Sequence, residues 1–303
     1  MKASLRYIIL FFILLYSSVA YAQNQWLDSV KKAAASQKDD TNKVNVLNSL
    51  SGAYQLTYPD SGLAYAQKAL ALAEKLHFEP GIFWAEISAC ESLMVLGNYP
   101  LELEYAFKAL SLSKKLNTPM AMASAYAKLT GYYYSLGEYA TSLSYWREVM
   151  KWAEQFSPED IWGNWMILSR IYDGMHQADS AMFYAKKAYE TIKNNGHLYK
   201  EDDESLNQVR IITTVLGNAF VGKANYDSAL YYYRWAILVS ANSDNDVYVT
   251  DDYNGIAAVY KATGKPDSAV WYAEKVLAAK VLSRCPAKSS KSPFRYLWIK
   301  EQA

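Results

Sequence analysis

Six stretches of this chain repeat one pattern at nearly constant spacing. They read PDSGLAYAQKAL from Pro59, LGNYPLELEYAFKAL from Leu96, LGEYATSLSYWREVM from Leu136, ADSAMFYAKKAY from Ala178, ANYDSALYYYRWAI from Ala224 and GKPDSAVWYAEKVL from Gly264. Gly62, Glu102, Ser142, Ala181, Ala229 and Ala269 hold the equivalent position, with spacings of 40, 40, 39, 48 and 40 residues. A period of that length means one supersecondary unit, copied and stacked along the chain.

Each stretch predicts the second helix of a helical hairpin. Residues four and seven apart share one helical face, and in the fifth stretch that face carries Ala229, Tyr233 and Ala236. Small residues there admit a close partner helix. The aromatic between them fills the gap to the neighbouring hairpin, a packing role also expected of Tyr133, Tyr172 and Tyr260. Asp179-Ser180, Asp227-Ser228 and Asp267-Ser268 read as helix N-caps, whose oxygens accept unpaired N–H groups. Pro59 and Pro266 precede the cap and stop the previous helix. The first helices lie upstream, with apolar faces at Tyr126, Leu129 and Tyr133, at Trp165, Leu168 and Tyr172, at Leu216, Gly217 and Phe220, and at Tyr253, Ile256 and Tyr260. Such faces are buried only by stacking neighbours.

These residues resemble the tetratricopeptide repeat, with Trp, Leu, Gly and Tyr on the first helix and Ala, an aromatic and Ala on the second. Trp165, Leu168, Tyr172, Ala181 and Ala188 match it, as do Leu216, Gly217, Phe220, Ala229, Tyr233 and Ala236. The resemblance implies an all-α, right-handed superhelical solenoid of about six helix-turn-helix repeats over residues 41–283, with a period near 40 instead of the usual ~34. Glu102 and Ala106 depart from the pattern and predict looser packing in the second repeat.

The N-terminus carries an address. Lys2 and Arg6 precede an apolar run from Tyr7 to Tyr16, and Ala20-Tyr21-Ala22 fits a small-x-small cleavage site. This is the layout of a secretory signal peptide over residues 1–22. The run is short for a membrane span, which takes about 20 residues, and no later stretch is long enough. The expected location is the periplasm, reached by export across the inner membrane. Residues 23–40 form a helical lead-in. Trp26 to Lys32 and Lys38 to Val44 look like the N-terminal region of envelope tetratricopeptide sensors of two-component regulators in Gram-negative bacteria. That likeness implies a membrane span and a histidine kinase or DNA-binding output module, and neither is in the sequence. Residues 284–303 form an irregular basic tail, in which Arg284, Lys288, Lys291, Arg295 and Lys300 stand against Glu301, and Pro286 and Pro293 interrupt a helix.

Composition narrows the function. The 31 Lys+Arg against 30 Asp+Glu give no reason to expect nucleic acid as a partner. Only 3 His and 2 Cys stand beside 27 Tyr, which makes a metal site or thiol enzyme a poor expectation. His77, His176 and His197 fall in different repeats without metal-binding spacing. Cys90 reads as a small core residue, too far from Cys285 for a disulfide. The acidic run Glu201 to Glu204 reads as a solvated loop that starts a helix. Gly264-Lys265 suits a repeat turn better than a phosphate loop, and Ser29-x-x-Lys32, Ser111-x-x-Lys114 and Ser243-Asp244-Asn245 lack the Lys-Thr-Gly that would complete a penicillin-recognising site. No catalytic, metal or cofactor site is expected.

What remains is a surface. In repeat solenoids of this kind the first helices line the concave side. By the repeat register, Met94, Tyr134, Arg170, Asp173, Asn218, Asn254 and Lys261 are inward, non-core residues. A protein or peptide in that groove would stack on Tyr and pair with Arg or Lys. The expected function is a non-catalytic protein- or peptide-binding scaffold. The alternative is the detached or truncated sensing region of a signalling regulator, with a membrane signalling partner.

Overall fold

The computed structural model describes residues 38–153, 155, 161–196, 198, 202–241 and 249–283. The expected signal peptide, most of the lead-in, His197, the Ser243-Asp244-Asn245 motif, Cys285 and the basic tail lie outside the described residues. Among the described residues there are twelve α-helices and no strand. None of these helices is long and apolar enough to cross a membrane.

In chain order the helices follow the six predicted hairpins, and the two helices of the first, second, fourth, fifth and sixth pack on each other. The hairpins are α1 (Thr41–Tyr54) and α2 (Pro59–Lys75), α3 (Glu79–Leu96) and α4 (Tyr99–Leu116), α5 (Pro119–Ser135) and α6 (Tyr139–Ala153), α7 (Ile161–Gly174) and α8 (Ala178–Asn194), α9 (Asp203–Gly222) and α10 (Tyr226–Ala241), and α11 (Val249–Ala262) and α12 (Pro266–Ser283). The chain divides into two compact units, residues 1–132 and 133–303, and the division falls inside α5. In the first unit α2 packs on α1 and α3, and α1 also touches α3. In the second, α8 packs on α7 and α9, α10 on α9 and α11, and the first helices α7, α9 and α11 touch in succession. That alternation is why a first helix must be apolar on two sides.

Local chemistry sets the turns. Within hairpins the chain reverses through a left-handed residue, Gly97 (φ 70°), His176 (φ 59°) or Gly264 (φ 73°), which frees the last helical carbonyls to accept turn N–H groups. His77 has φ 52° in the turn after α2, so both described histidines serve as turn residues. The second helices begin about a turn earlier than the Asp-Ser pairs predict. Asp179, Asp227 and Asp267 lie in the first turns of α8, α10 and α12, where acids complement the helix dipole, and are not caps. Pro59 and Pro266 open α2 and α12 because a missing N–H costs nothing at the first helical position. Asn98 and Asn225 do the capping instead, accepting from the N–H groups of Leu101 and Ser228. The acidic run does start a helix: Asp202 caps α9 by accepting from Ser205 N at 2.9 Å, while Glu201 lies outside the described residues.

Two devices recur inside the hairpins. The first is a parallel ring stack between the first helix and a tyrosine eleven or twelve residues on: Tyr54 on Tyr65 at 5.7 Å, Tyr133 on Tyr145 at 5.3 Å, Tyr172 on Tyr184 at 5.5 Å, Phe220 on Tyr232 at 5.3 Å and Tyr260 on Tyr272 at 5.6 Å. Tyr133, Tyr172 and Tyr260 therefore find ring partners in their own hairpins. In the second hairpin Leu93 takes the aromatic's place, near Tyr105. The second device is a side-chain bond to the carbonyl at the equivalent position of the repeat. Ser51 Oγ donates to Gly62 O at 2.8 Å, Cys90 Sγ to Glu102 O at 3.6 Å and Ser169 Oγ to Ala181 O at 2.8 Å. These groups are buried, so the bond also satisfies a carbonyl that water cannot reach.

The second hairpin is not loosely packed. Glu102 is 2% exposed and Ala106 is fully buried. The long side chain of Glu102 fills its space, and Cys90 is a buried free thiol beside it, as its core reading requires. Glu86 is buried in the same hairpin, and Glu86 and Glu102 each keep one oxygen without a hydrogen-bond partner. Burial raises both carboxyls to about 7, opposed at Glu86 by Lys108 and helped by Glu74.

Candidate functional site

The second unit assembles a mixed aromatic and polar surface on α5, α7 and α9. It starts from glycines. A methyl group at Gly174 would overlap the ring of Tyr139, so the bare backbone of α7 lets that ring lie against it. Tyr139 meets Tyr134 edge-on at 5.5 Å and 65°. The guanidinium of Arg170 lies 5.1 Å from the centre of the Tyr134 ring, a cation–π contact. Arg170 is exposed while Tyr134 is half-buried, so Arg170 keeps donors open to solvent.

Asp173, one turn along α7 from Arg170, is half-buried, and its Oδ1 approaches α9 at Gly222. Burial raises its carboxyl above the ordinary range, while His176 and Arg170 pull it down. Tyr233 of α10 is the central anchor. Its ring lies against Gly217 of α9 and Gly255 of α11, where a methyl group at either would overlap it. Its hydroxyl donates to Asn218 Oδ1 at 2.6 Å. This is the inter-hairpin packing expected of Tyr233, and it commits one side of Asn218 to holding the fold.

The structure brings Tyr134 and Arg170 into contact, sets Asp173 within electrostatic reach of Arg170, and holds Asn218 separately against Tyr233. Asn254 and Lys261 are exposed on α11, two turns apart on one face. Met94 is half-buried on α3, in the first unit.

Sequence reasoning missed a buried polar group next to this surface. Asp252 of α11 is fully buried, and Val249, Tyr253, Ile256 and Val259 of the same helix are buried too. Its Oδ1 accepts from Thr214 Oγ1 at 2.7 Å, and its Oδ2 has no partner. Burial raises the carboxyl to about 7, while the Thr214 hydrogen bond and Arg210 oppose the rise. An acid on the apolar stripe of a first helix was the signal available. Arg234, Tyr260, Asp267, Ser268, Trp271 and Tyr272 line a shallow open cleft between α10, α11 and α12, where Arg234 donates to the Tyr260 hydroxyl at 3.2 Å. Among the described residues no group of His, Cys, Asp or Glu is placed to hold a metal ion.

No protein-family model matches the sequence, and no curated protein matches it. Solved structures do. The apo form of RapI superposes with a TM-score of 0.69 at 14% identity, covering 88% of this chain and 95% of that one. NprR in complex with its cognate peptide NprX gives 0.57 at 13% identity, covering 84% and 76%. A signal-transduction ATPase with a tetratricopeptide repeat sensor, from Pyrococcus horikoshii, gives 0.54 at 17% identity, covering 94% of this chain and 41% of that one. At these identities the likeness concerns the fold, which is an all-α, tetratricopeptide-like helical repeat.

Proposed function

We propose that this protein is a non-catalytic scaffold that binds a protein or peptide along the first helices of its second unit, in the periplasm. The observation that carries this reading is the Arg170–Tyr134 cation–π pair, with Asp173 one turn along α7 and Asn218 on the next first helix, which puts an aromatic face, a cation, a carboxyl and an amide on successive first helices. An extended peptide needs such a mixture: flat rings for its side chains, and donors and acceptors for its backbone and charges. The peptide-bound state of NprR, a protein of like fold, agrees with it. The periplasmic placement rests on the Lys2-Arg6 start, the apolar run and Ala20-Tyr21-Ala22.

Amine-reactive crosslinking in the native envelope tests the proposal. A partner crosslinked at Lys261 of α11, and not at Lys186 or Lys193 of α8, is the expected result. A partner captured on the α8 lysines alone would place the binding face elsewhere. The sensing reading uses the same surface, and its likeness to a tetratricopeptide sensor region is one of fold. A kinase or regulator gene beside this one favours it.

A further inference from the structure

The second helices share a register, and it exposes an exception. Val270, Ala273 and Leu277 of α12 align with Leu63, Ala66 and Leu70 of α2 and with Leu230, Tyr233 and Ile237 of α10. In the five preceding second helices the residues at these places are buried or half-buried, and on α2, α6, α8 and α10 this face packs against the following hairpin. On α12 it is open: Val270 is 58% exposed, Leu277 is 65% exposed and Ala273 is exposed between them. At the other end, α1 shows solvent Asn42, Asn45 and Ser49, a polar face that needs no cover. Among the described residues, the α12 face is an apolar interface without its complement, which a stacked array does not tolerate well.

We propose that this face is the docking site for residues 293–299 of the same chain. The segment reads Pro-Phe-Arg-Tyr-Leu-Trp-Ile, and Phe294, Leu297 and Trp298 fall at the i, i+3, i+4 spacing of one helical face. It follows Ser292, and Ser292-Pro293 repeats the chemistry of Thr118-Pro119, where the Thr118 hydroxyl accepts from Ala121 N at the start of α5. Proline suits the first position of such a segment. The reach is sufficient. From Val270 to Ser283 along α12 is about 20 Å at ~1.5 Å per residue, and the chain between Ser283 and Pro293 extends to about 30 Å at ~3.3 Å per residue. Charges agree as well, with Arg295 and Lys300 in or beside the segment and Asp267 and Glu274 exposed on α12. A second copy meeting this face through its own equivalent would bring the same acids together.

The test is thiol labelling at Leu277→Cys in a Cys285→Ser background, where Cys90 is buried and silent. Rates are compared with and without the triple substitution Phe294→Ser, Leu297→Ser and Trp298→Ser, and circular dichroism confirms that both proteins are folded. The expected result is labelling at least tenfold slower with the native segment, at a rate independent of protein concentration. Equal rates in the two proteins overturn the proposal. Protection that grows with protein concentration also overturns it and assigns the face to a second copy. Val270→Cys in the same background gives an independent reading if the first substitution perturbs α12.

Discussion

The ring of Tyr172 lies 5.5 Å from that of Tyr184 at an interplanar angle of 4°, joining the two helices of the fourth hairpin face to face. The same stack occurs in four other hairpins, so the high tyrosine content is a repeated structural part. Replacing either ring by Leu keeps apolar volume and removes the stacking geometry. A double-mutant cycle of Tyr172→Leu and Tyr184→Leu, followed by urea denaturation, should give a coupling of about 1 kcal/mol. A coupling indistinguishable from zero would mean that the rings only fill space.

Glycines divide into two kinds. Gly217 touches the Tyr233 ring, and Gly217→Ala should destabilise the second unit by roughly 1–3 kcal/mol through overpacking. Gly52 on α1 has no atom near its would-be methyl, and Gly52→Ala should stabilise by about 0.5–1 kcal/mol through helix propensity and unfolded-state entropy. Chemical denaturation checks both. The same sign for the two substitutions would contradict the packing described.

The second hairpin should respond to pH. Glu86 and Glu102 ionise near 4.5 when unfolded and near 7 when folded, because burial disfavours the charged form. Between these values the native state holds more protons than the unfolded state, so stability is greatest below about 4.5, falls as pH rises through 7 and then levels. Glu102→Gln should flatten the fall seen in thermal unfolding from pH 5 to pH 8. An unchanged slope in that variant would remove Glu102 from the explanation.

Cys90 should be inert in the folded protein. Burial pushes its thiol up to about 12, against the opposing charge of Lys128. In a Cys285→Ser variant, a thiol reagent should therefore report only on unfolding, its rate rising in step with loss of helical signal. Fast modification under native conditions would show that α3 opens independently of the rest.

The hairpin count and register were legible because the helix–helix contact demands a small side chain at one recurring place, and that demand leaves a trace at Gly62, Ser142, Ala181 and Ala229. The helix starts were misread because Asp-Ser suits a cap and a first turn equally well. What decided between them was Pro59 and Pro266 fitting the first helical position. The Tyr172–Tyr184 pair has no period within a single helix, so hydrophobic patterning does not reveal it, although aromatic residues twelve apart in four of the six repeats were visible. Of the groove residues, the register gave Tyr134 and Arg170 as inward positions, and their contact comes from the structure alone. The register did not show that Asn218 is partly committed to Tyr233, nor that Asp252 is buried with an unpaired oxygen.

The binding proposal is tested most directly by recovering partners from envelope extract with the intact protein, a Tyr134→Ala/Arg170→Ala variant and a Phe183→Ala/Tyr231→Ala control on the exposed sides of α8 and α10. All three should stay folded, since the four side chains are half-buried or exposed. Quantitative mass spectrometry should show at least a tenfold loss of the specific partner with the first variant and unchanged recovery with the control. Full recovery with Tyr134→Ala/Arg170→Ala, or loss confined to the control, would contradict binding along the first helices.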